Sequence, residues 1–457
     1  MPEHAPIDDS MPQFVEAALP VPVQKLFTYR IRPGLADVAR SGSRILVPFG
    51  KQTLTGFIVN LRTEIDPNSR LAEADIKDVI ELLDETPLIS DEIFTLTKWA
   101  AEYYAASWGE MLKASLPTGI HAATERLAAI TGEGKKAAMQ NRDSRAAKWR
   151  VLEFLLEHGE SSDAALQKAF DKNAKRHISD LVRAGFATVH EQSVPIKVKP
   201  KLRKAVRLTE PQNETDVEKP LTDQQKKIIT AMQNAGGEML LADLLAAAKV
   251  GASPINTLAK RGYFEVIVQE VRRDPFSASV VEDPKKIKLT ADQKAALSEI
   301  ESGLHSDSYS AFLLHGVTGS GKTEVYIRAM QTALEGGKSS LMLVPEIALT
   351  PVFSQRLRAV FGEEVAILHS NLSAGERFDE WRRIRAGDAR VVIGTRSAVF
   401  APLENIGLII VDEEHDTSYR QHEAPFYHAR DVAVMRANKA KAAIVLGSAT
   451  PALETYH

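Results

Sequence analysis

The 457-residue chain contains no cysteine. Disulfides, thiolate-held zinc, iron–sulfur clusters and thiol nucleophiles are therefore excluded for these residues. No apolar run approaches the ~18 to 20 residues a membrane helix needs. The opening MPEHAPIDDSMPQFVEAAL is acidic and lacks the apolar core of a secretory signal. The expectation is a cytoplasmic protein. Neither sign of charge dominates, with 57 Lys and Arg against 60 Asp and Glu. Any contact with nucleic acid must come from local patches and not from a global field. Twenty-six glycines and 22 prolines are ordinary usage, which excludes collagen-like and wholly disordered chains. At roughly 100 to 200 residues per domain, the length predicts about three domains.

From Phe14 to about Leu116, the β-rich runs ALPVPVQKLFTYRI, SRILVPFG and TLTGFIVNL precede DEIFTLTKWAAEYYAASWGEMLKASL, whose apolar spacing is helical. This predicts a small β domain with a helical cap over 1–118. The polar stretch from Gly132 to Arg145 reads as a linker. Two degenerate repeats follow, WRVLEFLLEHGESSDAALQKAF with HISDLVRAGFATVHEQ, and KKIITAMQNAGGEMLLADLLAAA with PINTLAKRGYFEVIVQE. Each has the helix, turn, helix, helix, β order of a winged helix, over 119–208 and 209–280; such modules contact proteins or DNA. Between them Lys197, Lys199, Lys201, Arg203, Lys204 and Arg207 form either a solvated linker or a patch for a DNA backbone. Over 281–457, short apolar runs alternate with helical stretches, the pattern of a parallel sheet covered by helices. The fold class is multidomain α/β.

Gly316, Val317, Thr318, Gly319, Ser320, Gly321, Lys322 and Thr323 match G-x4-G-K-[ST] between an apolar strand and a helical run. Glycines let backbone amides curl toward phosphate oxygens, and the helix directs its positive end there. Lys322 is expected on the β and γ phosphates and Thr323 on Mg²⁺. In LIIVDEEH two acids leave a buried strand, which is costly unless they face a cation or a site. Asp412 is assigned to Mg²⁺ and Glu413 to the attacking water, with His415 relaying nucleotide state. In DTSYRQHEAPFYHARDVAVMR, Tyr419, Phe426 and Tyr427 lie among Arg420, His422, His428 and Arg430. Those rings either stack on bases while the cations hold phosphates, or pin the loop from within the core.

The runs GVTGSGKTEVY, VPEIALTP, LHSNLSAGER, IGTRSAVFAP, DEEHDTSYRQ, YHARDVAV and LGSATPALET, with ALPVPVQKLFTYRI and ILVPFGKQ upstream, resemble the primosomal protein N′ (PriA) family. These are replication-restart DNA helicases of the superfamily 2 DExH class, and the resemblance runs along nearly the whole chain. It implies a RecA-like lobe with ATP and Mg²⁺, and a 3′→5′ helicase that recognises stalled forks and starts primosome assembly. By resemblance Leu343 to Pro351 is motif Ia, and Ile393 to Pro402 is motif Ib, with Thr395 and Arg396 on single-stranded DNA. Leu446 to Thr455 is motif III, where Ser448, Ala449 and Thr450 couple hydrolysis to DNA movement. Gln293 in LTADQ is the adenine contact. The family's N-terminal domain holds the 3′ end of a nascent strand, which carries over as Phe27 for stacking, Gly50 for close backbone approach and Lys77 for phosphate. Thr28 stands where the family often has Asp, and can accept a hydrogen bond from a 3′ hydroxyl without carrying charge; Phe27 also reads as a strand core residue.

The implied partners are forked and single-stranded DNA, primosome proteins, a replicative helicase loader and single-strand-binding protein. The implied location is nucleoid-associated cytoplasm. The family continues with a cysteine-rich zinc module and a second lobe, so zinc is expected only there. The chain alone is expected to bind nucleotide and forks but hydrolyse slowly, since an arginine finger is worth about 10³ to 10⁵ in rate. An ATP-independent fork scaffold and a different superfamily 2 translocase are the competing readings.

Overall fold

The computed structural model describes residues 12–50, 52–65, 72–84, 86–117, 120, 123–141, 146–170, 174–194, 201–209, 220–271, 273, 287–306 and 308–456. The chain divides into two compact units, residues 1–197 with 279–457, and residues 198–278.

The first unit begins with strands β1 (Phe14–Ala18), β2 (Phe27–Arg30), β3 (Arg44–Phe49), β4 (Gln52–Arg62) and β5 (Glu81–Leu82), ordered β2-β1-β4-β3-β5 and antiparallel. Val15, Ala17, Tyr29, Ile45, Val47 and Ile58 fill its core. Arg44 is wholly buried, pairs with Asp84 at 2.7 and 2.8 Å and donates to the Ile120 carbonyl. Removing one partner of such a pair costs about 3–5 kcal/mol, because the other charge is left buried.

The helical cap proves to belong as much to the nucleotide lobe as to the β domain. Helices Asp91–Tyr103 and Trp108–Ala114 start at Ser90 and Ser107, whose side chains accept from the Ile93 and Glu110 amides. Ile93, Leu96, Ala100, Met111 and Leu112 share one core with Leu341, Val392, Phe400, Val432 and Ile444. Arg436, wholly buried, donates to the Val399 and Ala401 carbonyls at 2.7 and 2.8 Å and pairs with Glu92 at 2.8 Å. On the opposite side Gly109 lies against Leu19, whose carbonyl oxygen a β-carbon there would meet at 2.0 Å.

Strands β6 (Ala123–Ile130), β7 (Ser161–Ser162) and β8 (Ala187–Val194), ordered β7-β6-β8, carry four helices, Gly132–Gln140, Ala147–His158, Asp163–Phe170 and Ala174–Arg183. The expected linker at 132–145 is therefore helical through residue 140. Thr131 caps it by accepting from the Gly134 amide at 3.0 Å, and Ala137 and Ala138 enter the core; 142–145 lie outside the described residues.

The second unit is built on β9 (Leu202–Leu208), β10 (Glu238–Leu240) and β11 (Phe264–Glu270), ordered β10-β9-β11, with helices Asp223–Asn234, Leu241–Ala248 and Ala252–Lys260. From Leu202 onward the basic run is thus no linker but the central strand, and the module starts before residue 209. Ala205 and Val206 are buried while Arg203, Lys204 and Arg207 face solvent, and Arg207 is drawn to Glu238 at 2.9 Å and Glu265 at 4.0 Å. Lys197 and Lys199 lie outside the described residues.

The nucleotide lobe closes the first unit. Strands β12 (Ser310–His315), β13 (Ser339–Leu343), β14 (Val365–Leu368), β15 (Val391–Gly394), β16 (Ile406–Val411) and β17 (Ala443–Ser448) form a six-stranded parallel sheet ordered β12-β17-β16-β13-β15-β14. Helices Ala291–Leu304, Lys322–Glu335, Pro351–Phe361, Ala374–Ala386 and Ala429–Ala440 accompany it. All six strands end at one edge, where open α/β sheets bind their ligands.

Candidate nucleotide and nucleic-acid sites

Strand order sorts the motif loops along that edge. The glycine-rich loop after β12, the Ser448 loop after β17 and the acidic loop after β16 are neighbours. The Glu346 loop after β13, the Thr395 loop after β15 and the His369 loop after β14 make up the other half.

In the nucleotide half Gly319 and Gly321 have φ of +83° and +85°, and helix Lys322–Glu335 starts directly behind them. Positive φ there turns successive amides outward, and Val317, Thr318, Gly319 and Ser320 are open to solvent. Lys322 donates to the Gly316 carbonyl at 2.7 Å and lies 3.7 Å from Glu413. Thr323 sits in the first helical turn. Both ends of the Gln293 side chain are engaged. Its carbonyl accepts from the Thr290 amide at 2.9 Å, and its amide donates to the Ser320 carbonyl at 2.8 Å. Gln293 therefore caps its own helix and braces the phosphate loop.

Asp412 is half-buried and accepts from the Tyr326 hydroxyl at 3.0 Å. Burial, opposed by that hydrogen bond, raises its pKa above the usual carboxylate range. A partly desolvated acid in this position suits a cation, which offsets the desolvation of the charged form. Gly447 makes the pairing possible, since a β-carbon there would fall 1.6 Å from the Tyr326 hydroxyl. Glu413 has φ of +45°, a strained value for a residue with a side chain. Its carboxylate lies between Lys322 at 3.7 Å and His415 at 3.9 Å.

His415 Nδ1 is 2.7 Å from Ser448 Oγ, and its Nε2 is 3.3 Å from Thr450 Oγ1. Since Ser448 Oγ also accepts from the Thr450 amide, the network favours Ser448 as donor to Nδ1. Ser448 in turn offers its carbonyl to the Gly316 amide at 3.1 Å, and Ala449 lies in the bend between the two hydroxyl residues. Glu414, to which sequence reasoning gave no role, is wholly buried. It accepts from the Ala452 amide at 2.7 Å, Thr455 at 2.9 Å and Arg430 at 2.9 Å. Burial works upward on its carboxyl, but those three donors hold its pKa below the ordinary value. The available signal was its place in the run of three acids, Asp412 to Glu414, after a buried strand.

The aromatic loop divides between the two readings offered for it. Tyr419 is wholly buried and donates to the Asp412 carbonyl at 2.6 Å, so it braces the acidic loop and is closed to bases. Tyr427 is also buried, edge-on to Phe400 at 5.3 Å. Burial pushes its hydroxyl up to about 12 against a hydrogen bond from Arg396. Arg430 is committed to Glu414 and Asp431. Of the three rings, Phe426 alone is exposed, at 57%.

Arg396 also donates to the Arg420 carbonyl at 2.9 Å. It borders a cleft of about 430 Å³ together with buried Thr395, His369, Ser370, Arg377, Trp381 and Tyr427, while Ser115 to Pro117 supply the facing wall. Burial, then the Arg377 charge, lowers the pKa of His369, favouring the neutral ring.

In the β domain, Phe27 is half-buried, edge-on to Phe49 at 5.3 Å, with Lys25 Nζ 4.9 Å over its ring. Thr28 follows it, half-buried and in register with Glu16. Gly50, with φ of +60°, follows Phe49 in the β3–β4 turn and opens onto free space. Lys77 is exposed, and its carbonyl takes the Arg30 amide at 2.9 Å beside β2. Phe49, Arg30 and Lys25 are the neighbours that sequence reading left out. Among the described residues, no cluster of three or more His, Asp or Glu side chains forms a metal centre.

A parallel sheet carrying a phosphate loop after β12 and an acidic loop after β16, with the Ser448 loop of β17 between them, defines a P-loop nucleotide-binding lobe. Residues 290–457 match the DEAD/DEAH box helicase family, and residues 16–117 match the PriA 3′DNA-binding domain (3′BD). The chain is 33% identical over 445 residues to the replication restart protein PriA of Bacillus subtilis, covering 95% of this chain and 52% of that protein. It is 36% identical over 457 residues to PriA of Synechocystis, covering 98% and 53%. With PriA of Haemophilus influenzae the identity is 31% over 445 residues, covering 97% and 50%. The chain is PriA-like and carries a 3′DNA-binding domain and a DEAD/DEAH box helicase domain. It spans about half the length of these relatives.

Proposed function

We propose that the protein belongs to an ATP-dependent 3′→5′ DNA helicase of replication restart, which recognises forks by the 3′ end of a nascent strand and starts primosome assembly. The observation that carries this reading is the strand order of the lobe, which groups the phosphate, acidic and Ser448 loops apart from the Thr395 and His369 loops. Nucleotide chemistry and strand contact then occupy opposite halves of one sheet edge.

The amides of residues 316–323 and the positive end of helix Lys322–Glu335 bind phosphates. Lys322 leaves the Gly316 carbonyl for the β and γ phosphates, and Glu413 orients the attacking water and takes its proton. Thr323 and Asp412 would hold magnesium, which neutralises phosphate charge when bound. His415, Ser448, Ala449 and Thr450 pass the change at Glu413 toward the rest of the edge. Thr395, Arg396 and exposed Phe426 meet single-stranded DNA; Phe27, Thr28, Gly50 and Lys77 meet the 3′ end. Primosome proteins, a helicase loader and single-strand-binding protein as partners, and a nucleoid-associated location, belong to the same reading.

Binding to forks with a 3′-OH, a 3′-phosphate or no leading strand tests it. Tighter binding to the free 3′-OH fork is expected, and equal binding to all three would overturn end recognition.

A further inference from the structure

A second opening lies on the β domain, apart from the nucleotide edge. It has a volume of about 690 Å³, within the ~300–1,000 Å³ of small-ligand sites. One wall is the segment after β1, with Gln24, Lys25 and Leu26; the other is helix Asp91–Tyr103, with Phe94 and Lys98, continued by Trp108.

Two features of this groove suit a nucleotide unit. Phe94 and Trp108 pack with ring centroids 4.8 Å apart, and the indole is oriented by its Nε1 donating to Thr97 Oγ1 at 3.3 Å. Lys98 Nζ lies 5.6 Å over the Trp108 ring, and Lys25 Nζ lies 4.9 Å over Phe27. Among the described residues neither ammonium has a carboxylate within salt-bridge distance. Both are free to exchange an aromatic face for a phosphate. Glu102 is the one acid on the lining, so the groove carries two cations against one anion. Aromatic faces with flanking cations are what single strands need, stacking for the base and charge for the backbone.

We propose that this groove binds one nucleotide unit of single-stranded DNA, with its base against Phe94 and Trp108 and its phosphate between Lys25 and Lys98. Lys25 stands at the junction with Phe27, so the occupant is the strand that continues from the 3′-end pocket; this continuity rests on the end-binding reading above. The groove itself needs only an unpaired strand.

Photo-crosslinking of the whole chain to a circular single strand carrying 5-iododeoxyuridine reads the groove without any 3′ end. Crosslinks on Phe94 or Trp108 are expected. Lys98→Glu, at an exposed position, is expected to weaken binding to the circle about three- to tenfold, with the salt slope reduced by about 0.7 for the lost phosphate contact. Crosslinks confined to the Thr395 cleft, or a Lys98→Glu effect under about twofold with an unchanged slope, overturn the proposal. Full displacement of the circle's crosslinks by free thymidine monophosphate also overturns it, because the ligand is then a free nucleotide. If Lys98→Glu weakens the circle while forks show no 3′-OH preference, the groove stands and end recognition fails. If the preference persists and Lys98→Glu is neutral, the groove alone fails.

Discussion

The two halves of the sheet edge are built differently. In the nucleotide half, loops from β12, β16 and β17 are tied to one another, Gly316 to Ser448, Glu414 to Gly447, His415 to Ser448 and Lys322 to Glu413. Two of these ties are main-chain hydrogen bonds, and in the ion pair Lys322 is largely buried while Glu413 stays partly exposed. In the other half, Arg377 reaches the carbonyls of His369, Ser370 and Leu372, and Arg396 reaches those of Ser418 and Arg420. There each arginine holds main chain, and a cleft of mixed polar and apolar lining is left between the loops. A tightly coupled half transmits a change in one loop to the next; an open half accepts a ligand with little rearrangement.

The largest expected effect tests the coupling. Glu414→Ala leaves the Ala452 amide without its acceptor and Arg430 with Asp431 alone, and chemical denaturation should register a loss of about 3 kcal/mol or more. A loss under about 1 kcal/mol would show that the ties between loops are weak. Next, Lys322→Ala should weaken binding of a fluorescent ATP analogue by about 10- to 100-fold, the worth of a charge-assisted contact, and leave single-strand affinity within about twofold. An equal loss for both ligands would erase the division between halves.

Smaller effects sharpen the open half. Phe426→Ala should lower single-strand affinity by about 1–3 kcal/mol, the value of one base stack. Tyr419→Phe, a change behind the surface, should alter stability through Asp412 and leave strand affinity alone. Reversal of that order in titrations with labelled oligothymidine would mean the buried ring is the one that meets DNA.

The smallest is a pH effect. The folded pKa of Glu414 is held below the ordinary value by Ala452, Arg430 and Thr455. Its contribution is thus present above the unfolded pKa of 4.5 and lost as pH falls through the lower folded value. Thermal melts between pH 6 and 3 should show Glu414→Gln converging on the parent at the acid end. Parallel curves would assign acid lability elsewhere.

Much of the lobe was legible because its signals are local. The glycine pattern before Lys322 and the acids after an apolar strand report backbone geometry and burial within a few residues. The second-unit boundary was not legible. Six cations within eleven residues read as a solvated linker or a DNA-backbone patch, although Ala205 and Val206 are both buried, as the middle of a central strand should be. The residues 132–140 were misread because small and charged side chains mask a helix whose buried face is only Gly134, Ala137 and Ala138. The roles of Tyr419, Tyr427 and Arg430 were hidden for another reason: an aromatic beside a cation has the same local text whether it faces solvent or core.

The sequence by itself determined the class of chemistry, the order of the motifs and the presence of a β domain ahead of a P-loop lobe. Each of these depends on residue types at short spacing. Only the tertiary structure decided that helix Asp91–Tyr103 is joined to the lobe through Arg436, that Gln293 braces the phosphate loop, and that Glu414 anchors the segment after Ser448. Those outcomes depend on contacts between residues tens to hundreds of positions apart, which burial and strand order bring together and local pattern does not encode.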